Sequence, residues 1–210
     1  TDPALDACIN QIMAEYADDG SIGFQQFLAR NYNEMRVRQI ALDNKGRLWV
    51  SSYNGLYMLD TNIDDVNDND FKCFNIDNNT LSFNEVKCVT CSSDGFLWIG
   101  GKGSGVVRCK YDEQGQLITL TRITTKEGLA GNTISSITED SEGNIWAATE
   151  NGLSMIYDKD LKIRTFRFGG NIERNIYSDE CALRLNDGRL LFGTRYGMNI
   201  ITPELANGQG

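Results

Sequence analysis

Short apolar stretches alternate with polar turns along most of the chain, and the same arrangement recurs four times. Each copy begins with a glycine, passes through an apolar residue to a tryptophan or a leucine, and reaches a second glycine nine or ten residues after the first. The copies are GRLWVSSYNG at 46–55, GFLWIGGKGSG at 95–105, GNIWAATENG at 143–152 and GRLLFGTRYG at 188–197. Successive leading glycines lie 49, 48 and 45 residues apart, a period typical of an array of repeated structural units.

The spacing within each copy predicts a unit of four strands. A stretch rich in β-branched and apolar residues precedes every leading glycine, at 37–43, 86–92, 134–140 and 181–186. Two further strands are predicted on either side of the second glycine, and a fourth apolar run follows at 71–76, 116–123 and 162–168. Glycine suits the tight turns between them because it adopts positive φ without strain. Four short strands repeated in this way indicate an all-β fold, the β-propeller of four-stranded blades.

The repeated residues are predicted to be structural. One blade cannot bury both of its faces alone, so the tryptophans are expected to pack between adjacent blades, with a leucine in the same place in the last copy. The residues that define the repeat are Gly46, Trp49, Gly55, Gly95, Trp98, Gly105, Gly143, Trp146, Gly152, Gly188, Leu191 and Gly197.

Composition excludes several functions. A net charge of −9 argues against nucleic-acid binding, which needs clustered Lys and Arg. The absence of histidine excludes Ser-His and Cys-His catalysis, a His-bearing metal site and a phosphoacceptor histidine within this segment. Turn aspartates such as Asp43, Asp94, Asp140 and Asp187 are expected to bond their own turn backbone. The sequence contains no run of 18 apolar residues, so it predicts no membrane span. The first residues, TDPALDACINQ, lack the basic head and apolar core of a signal peptide.

Three local patterns imitate functional motifs. GGKGSG at 100–105 lacks the spacing of a phosphate loop and coincides with a repeated hairpin. The acidic run at 60–70 has Asp70 and Ile76 where a calcium loop needs glycine and glutamate. Cys88 and Cys91 form a C-x-x-C on a predicted strand, where an offset of three directs the side chains to opposite faces. We therefore predict no cofactor, no metal site and free thiols.

The third copy carries a specific resemblance. The stretch EGLAGNTISSITEDSEGNIWAATENG at 127–152 resembles the repeat of the regulator propellers found in hybrid two-component sensors from Bacteroidetes. The residues that fit this pattern are Gly128, Leu129, Asn132, Ile134, Ile137, Asp140, Gly143, Ile145, Trp146, Thr149, Asn151, Gly152 and Leu153. The first two copies fit more loosely, and the last, which leads out through Pro203, resembles a final blade.

The resemblance covers about residues 31–204 and implies a receptor segment. It implies a periplasmic ligand-sensing propeller whose full-length parent carries a membrane helix, a histidine kinase and a DNA-binding output. Ligands of such propellers are usually oligosaccharides released from dietary or host glycans. The rest of the kinase and a second copy of the protein are then the expected partners, and this segment is expected to be non-catalytic.

The number of blades leaves the closure of the ring open. Propellers of the resembling family usually have seven blades, so four copies favour a fragment of a larger propeller. The alternative is a closed ring in which FQQFLAR at 24–30 supplies the outer strand missing from the fourth blade. The segment 1–30 lies before the first repeat, and its residues 5–16 have the spacing of a short amphipathic helix. The alternative, which stays open, is that 1–20 are an insertion between two outer strands of a cut blade. Residues 205–210 form a tail.

A ligand is expected on the face that gathers the second hairpin of each blade and the loops between blades, because strand direction alternates across a blade. Sugars need aromatic surfaces for their apolar faces and planar polar groups for their hydroxyls. The candidate ligand-binding residues on this face are Tyr32, Tyr53, Asn54, Lys102, Glu150, Asn151, Arg174, Arg195 and Tyr196. Two other classes stay open, a propeller lyase or glycosidase acting on polysaccharide, for which carboxylates should cluster at one channel mouth, and a protein-interaction scaffold.

Overall fold

The computed structural model describes residues 36–61, 70–157, 159–167 and 176–204. The predictions for the helix at 5–16, the strand at 24–30, and the residues Tyr32 and Arg174 lie outside these ranges, as does most of the acidic run at 60–70.

The described residues form four antiparallel sheets in chain order, which confirms the β-propeller of repeated blades. Blade 1 has β1 Val37–Leu42, β2 Arg47–Ser52, β3 Gly55–Asp60 and β4 Lys72–Phe74, and blade 2 has β5 Val86–Cys91, β6 Leu97–Gly101, β7 Gly105–Tyr111 and β8 Leu117–Ile123. Blade 3 has β9 Ile134–Glu139, β10 Ile145–Thr149, β11 Gly152–Ile156 and β12 Ile163–Phe166. Blade 4 has β13 Tyr177–Arg184, β14 Leu190–Thr194 and β15 Gly197–Ile201, without a fourth strand in the part that the structure describes.

The blades pack through their innermost strands and through the repeated tryptophans. Strand β1 packs on β5, β5 on β9 and β9 on β13. Trp49, Trp98 and Trp146 are buried, and each joins an apolar cluster contributed largely by the following blade. The predicted packing role of the tryptophans is therefore confirmed.

An aspartate in the first turn supports the tryptophan in two blades. The indole N–H of Trp49 donates to Asp43 Oδ2 over 3.0 Å, and that of Trp146 donates to Asp140 Oδ2 over 2.8 Å. Each aspartate also accepts backbone N–H groups of its own turn, as the sequence predicts. In blade 2 the same position is Ser92, and the buried Nε1 of Trp98 has no hydrogen-bond partner.

Ser92→Asp is expected to stabilise the protein by about 1 kcal/mol, because the carboxylate can accept the indole N–H that is buried without a partner. Urea denaturation of the wild type and the variant measures the gain. The matched control is the same substitution in a Trp98→Phe background, where no indole N–H remains and the gain should vanish. An equal gain in both backgrounds would contradict this explanation.

The second glycine of the repeat is required by the outer strand. A Cβ at Gly105 would overlap the carbonyl oxygen of Ile123, and one at Gly55 would lie 2.5 Å from that of Phe74. Both oxygens belong to the last residue of the outer strand in their blade. A Cβ at Gly197, the equivalent residue of blade 4, would meet nothing within 4 Å.

One face of blade 4 is open. Leu191 pairs with Leu183 and Ile200, in the register in which Trp49 pairs with Ala41 and Met58. Leu191 thus occupies the position of the tryptophans, as predicted, but Leu183 and Ile200 are 58% and 53% exposed. The inner strands of consecutive blades pack against each other, but β1 and β13, the inner strands of blades 1 and 4, do not pack in this way. These observations favour a larger propeller, which stays a prediction.

Candidate functional site: the mouth of the central channel

The inner strands begin at one end of the propeller, and each carries an irregularity there. In β1, Val37 pairs with Ser52 and Gln39 with Ser51, so Arg38 is an extra residue in the strand. Equivalent bulges make Lys87 the extra residue of β5 and Ser135 the extra residue of β9. Bulges redirect side chains and are common next to binding sites. Blades 1 to 3 therefore present three different residues, Arg38, Lys87 and Ser135, at one equivalent position.

The irregularity is larger in β13. Tyr177 pairs with Thr194, but the next paired residue is Ala182 with Phe192, so the intervening segment leaves the ladder. Glu180 in this segment has a φ of 55°, a left-handed conformation that side-chain-bearing residues seldom adopt. The sequence predicts this strand only from 181, and the observed strand begins earlier, at Tyr177, because the bulge interrupts its apolar pattern.

Ion pairs connect three blades at this end. Arg38 Nη1 lies 3.1 Å from Asp179 Oδ2 and 3.5 Å from Glu180 Oε1, while Lys87 Nζ lies 2.6 Å from Asp179 Oδ1. Arg38 Nη2 lies 3.6 Å from Glu85 Oε1, and the other carboxylate oxygen, Glu85 Oε2, lies 3.4 Å from Lys102 Nζ. We call this set the channel cluster, and its members are Arg38, Glu85, Lys87, Asp179 and Glu180.

The charges of the channel cluster differ in burial. The side chains of Arg38 and Lys87 are 14% and 10% exposed, whereas those of Asp179 and Glu180 are 38% and 31% exposed. Burial raises the pKa of Glu180, and the neighbouring charge of Asp179 raises it further, while Arg38 lowers it. The cations are thus the more deeply buried members, and the two carboxylates repel each other.

The second hairpins of blades 2, 3 and 4 lie beside the loops that enter their inner strands, as predicted, and ligand binding on this face stays a prediction. The backbone N–H of Lys102 donates to Glu85 O, that of Glu150 to Thr133 O, and that of Arg195 to Ile176 O. These bonds run between the turn and the start of the inner strand in blades 2, 3 and 4.

Tyr53 contacts the channel cluster through Arg38. The guanidinium of Arg38 donates to the Tyr53 hydroxyl and lies 4.2 Å from the centre of its ring, and that of Arg36 lies 5.6 Å from it. The ring therefore supports Arg38 by a hydrogen bond and a cation–π contact. Contact between Tyr53 and a sugar stays a prediction, as it does for Lys102, which Glu85 links to the same cluster.

Other predicted residues have structural partners. The carboxylate of Glu150 accepts the N–H groups of Asn132 and Thr133, which fixes the loop before β9. The carbonyl of Asn54 accepts from Asn75 Nδ2, and that of Asn151 accepts from Arg167 Nε.

Arg195 and Tyr196 lie together at the β14–β15 turn, with the guanidinium 5.5 Å from the ring centre. Tyr196 is exposed, so of the candidates that the structure describes it has the most open aromatic surface. No bond joins this pair to the channel cluster among the contacts of the described residues.

Sequence reasoning missed the centre of the site. Arg38, Lys87, Asp179 and Glu180 are absent from the predicted residues because they lie within predicted strands or just before one. A signal was present in the first two copies, where the first apolar residue of the inner strand is followed by Arg38 or Lys87. Nothing local distinguishes Asp179 and Glu180, which reach the cluster through the bulge.

The described cysteines are free thiols. Cys88 and Cys91 belong to different apolar clusters, which confirms that they point to opposite faces, and burial raises the pKa of Cys91 to about 12. Within the described ranges no group of three His, Cys, Asp or Glu residues is arranged to hold a metal ion. No described helix is long and apolar enough to cross a membrane.

Three segments of the chain, 31–54, 80–103 and 128–151, match the family model described as two component regulator propeller. The chain carries regulator propeller repeats. This agrees with the resemblance drawn from the third copy, and the matched segments end at the second hairpin of blades 1, 2 and 3.

Proteins similar to this chain include a histidine kinase and parts of two component systems. Histidine kinase P4 of Formosa agariphila is 25% identical over 169 residues, which is 80% of this chain and 12% of that protein. The extracellular domains of two hybrid two component systems of B. thetaiotaomicron are 21% and 22% identical, with TM-scores of 0.58 and 0.63. The alignments cover 82% and 80% of this chain but 28% and 23% of those domains. The regulator propeller thus spans a small part of these relatives.

The fold is shared with an enzyme as well. Virginiamycin B lyase from Staphylococcus aureus is 19% identical with a TM-score of 0.55, over 79% of this chain and 54% of the lyase. At this identity the likeness concerns the fold alone, and function has to be argued from the site.

Proposed function

We propose that this regulator propeller is the non-catalytic ligand-sensing part of a hybrid two-component histidine kinase, located in the periplasm. Its ligand is an extracellular oligosaccharide, and the full-length protein controls carbohydrate-utilisation genes. The rest of the kinase and a second copy of the protein are its partners. The repeats and the similarity to a histidine kinase and to extracellular domains of two component systems support the sensor assignment.

The observation that carries the ligand site is the channel cluster. Residues from blades 1, 2 and 4 converge there, so a ligand bound at the channel mouth contacts three blades at once. Carboxylates and guanidinium groups provide the planar acceptors and donors that sugar hydroxyls require. Tyr196 offers an exposed aromatic surface at the same face.

The experiment measures binding of a panel of glycan oligosaccharides to the complete extracellular region by isothermal titration calorimetry. At least one oligosaccharide is expected to bind, and Arg38→Met is expected to weaken it about tenfold or more, because Arg38 links most of the cluster. Arg189→Met is the matched control, since Arg189 lies at the opposite end of blade 4 and pairs with Asp187 in solvent.

The same samples test the two other functions. Three carboxylates lie at the channel mouth, a glycosidase uses a pair of carboxylates, and the pKa of Glu180 is raised in the direction expected of an acid catalyst. Turnover of any bound sugar would establish an enzyme and contradict the proposal. Failure of every sugar to bind, together with a tight protein partner in a pull-down, would favour the scaffold.

A further inference from the structure

The cations of the channel cluster are positioned more firmly than the anions. Arg38 and Lys87 each occupy a one-residue bulge between regularly paired neighbours. The backbone beside both bulges is fixed by side-chain hydrogen bonds, since Gln39 N–H donates to Ser51 Oγ over 2.9 Å and Gln39 Oε1 accepts Val89 N–H over 3.1 Å. These strands hold two buried positive charges at the channel mouth.

The carboxylates that face these cations come from the irregular part of β13. Asp179 and Glu180 lie between Tyr177 and Ala182, where the pairing with β14 is interrupted. Glu180 is held in the left-handed region, and such strain usually marks functional positions. Two adjacent carboxylates also repel each other, which raises the free energy of this arrangement.

Arg38 has an unused donor. Its Nη groups serve Asp179, Glu180, Glu85 and Tyr53, but its Nε is buried without a hydrogen-bond partner. A guanidinium binds a carboxylate or a sulfate most strongly through two parallel N–H groups. The protein's own carboxylates therefore leave part of the Arg38 fork unsatisfied.

We propose that Arg38 and Lys87 form a subsite for an anionic group of the ligand, so that the oligosaccharide recognised at the channel mouth is an acidic one. The carboxylate or sulfate of the sugar displaces Asp179 and Glu180 from the two cations. This inference rests on the proposed function, because it specifies the ligand of the same site. A uronic acid and a sulfate ester share the chemistry that the subsite selects.

The test compares charged and uncharged forms of matched oligosaccharides by calorimetry on the complete extracellular region. The probes are a galacturonate hexasaccharide against its methyl ester, and a carrageenan hexasaccharide against its desulfated form. Binding of the carboxylate or the sulfate probe is expected to be at least about tenfold tighter than that of its neutral match, and to weaken with salt. Which pair shows the difference identifies the anionic group.

Variants separate the roles of the cations and the carboxylates. Lys87→Met is expected to weaken binding of the acidic probe about tenfold, with Lys87→Arg as the conservative rescue. Lys162→Met is the control and should change binding about twofold at most, because Lys162 is exposed and pairs with Asp160 at the opposite end of blade 3. The double variant Asp179→Asn, Glu180→Gln should strengthen binding of the acidic probe, because the competing carboxylates are gone. A purely structural role of the ion pairs predicts no such gain.

Two outcomes would overturn the inference in distinguishable ways. Binding confined to neutral sugars, or equal for the acid and its ester, contradicts the anionic subsite and leaves the proposed function intact. Absence of binding by every saccharide in the larger panel contradicts both.

Discussion

Gly105→Ala is expected to destabilise the protein by about 3 kcal/mol, the sum of left-handed backbone strain and the displacement of a strand. Gly105 has a φ of 75°, which an alanine adopts only at a cost. Its new Cβ would also overlap the carbonyl oxygen of Ile123, a backbone atom that cannot move without shifting the end of β8. Urea denaturation followed by the fluorescence of the three buried tryptophans measures the loss.

Two other glycines provide matched controls for Gly105. Gly103→Ala, with a φ of 68° and open space around its Cβ, should cost only the backbone term of about 1 kcal/mol. Gly197→Ala at the same repeat position in blade 4 should be milder than Gly105→Ala, because no outer strand of the described residues lies against it. Equal losses for Gly105 and Gly197 would show that the outer-strand carbonyl does not explain the second glycine of the repeat.

Asp140→Ala is expected to cost about 4 kcal/mol, because several buried donors lose one charged acceptor together. The carboxylate of Asp140 is almost fully buried and accepts four hydrogen bonds, from the backbone of Glu142 and Asn144, the Asn144 side chain and the Trp146 indole. Three of these four hydrogen bonds, those from Asn144 and Trp146, are buried. Thermal unfolding and urea denaturation measure the loss.

Asp187→Ala is the control for Asp140→Ala. Asp187 lies in the corresponding turn of blade 4 but bonds exposed Arg189 and its own turn backbone, so its removal should leave the midpoint of unfolding unchanged. Asp140→Asn should recover part of the stability, since an amide oxygen keeps some of the acceptor geometry. A loss for Asp140→Ala no larger than for Asp187→Ala would contradict the structural role assigned to this aspartate.

The fold could be predicted because its determinants are local and repeated. Alternation of apolar residues predicts each strand, glycine marks each turn, and the 45-to-49-residue period specifies the four-stranded blade. The observed strands agree with the predicted ones in blades 1 to 3, and the tryptophans lie between blades as expected. Blade 4 differs from the other blades where its sequence departs from the repeat, at Leu191 and before residue 181.

The candidate site was predicted only at the level of a face. Successive strands of a blade run in opposite directions, so the face that gathers the second hairpins could be derived without coordinates. The backbone hydrogen bonds of Lys102, Glu150 and Arg195 to the preceding loops agree with that face. The central charges could not be derived. Arg38 and Asp179 are 141 residues apart, and each looks locally like a solvated strand or loop residue.

The sequence by itself determined the all-β architecture and the packing role of Trp49, Trp98 and Trp146, because both depend on residue type at a fixed period. It also excluded histidine chemistry, because these 210 residues contain no histidine. Only the tertiary structure decided which side chains meet at the channel mouth and how deeply each is buried. Bulges at Arg38 and Lys87 and the longer departure of β13 from its ladder break the two-residue alternation that sequence reasoning relies on. The distance between blades then sets which charges pair, and no local pattern encodes that distance.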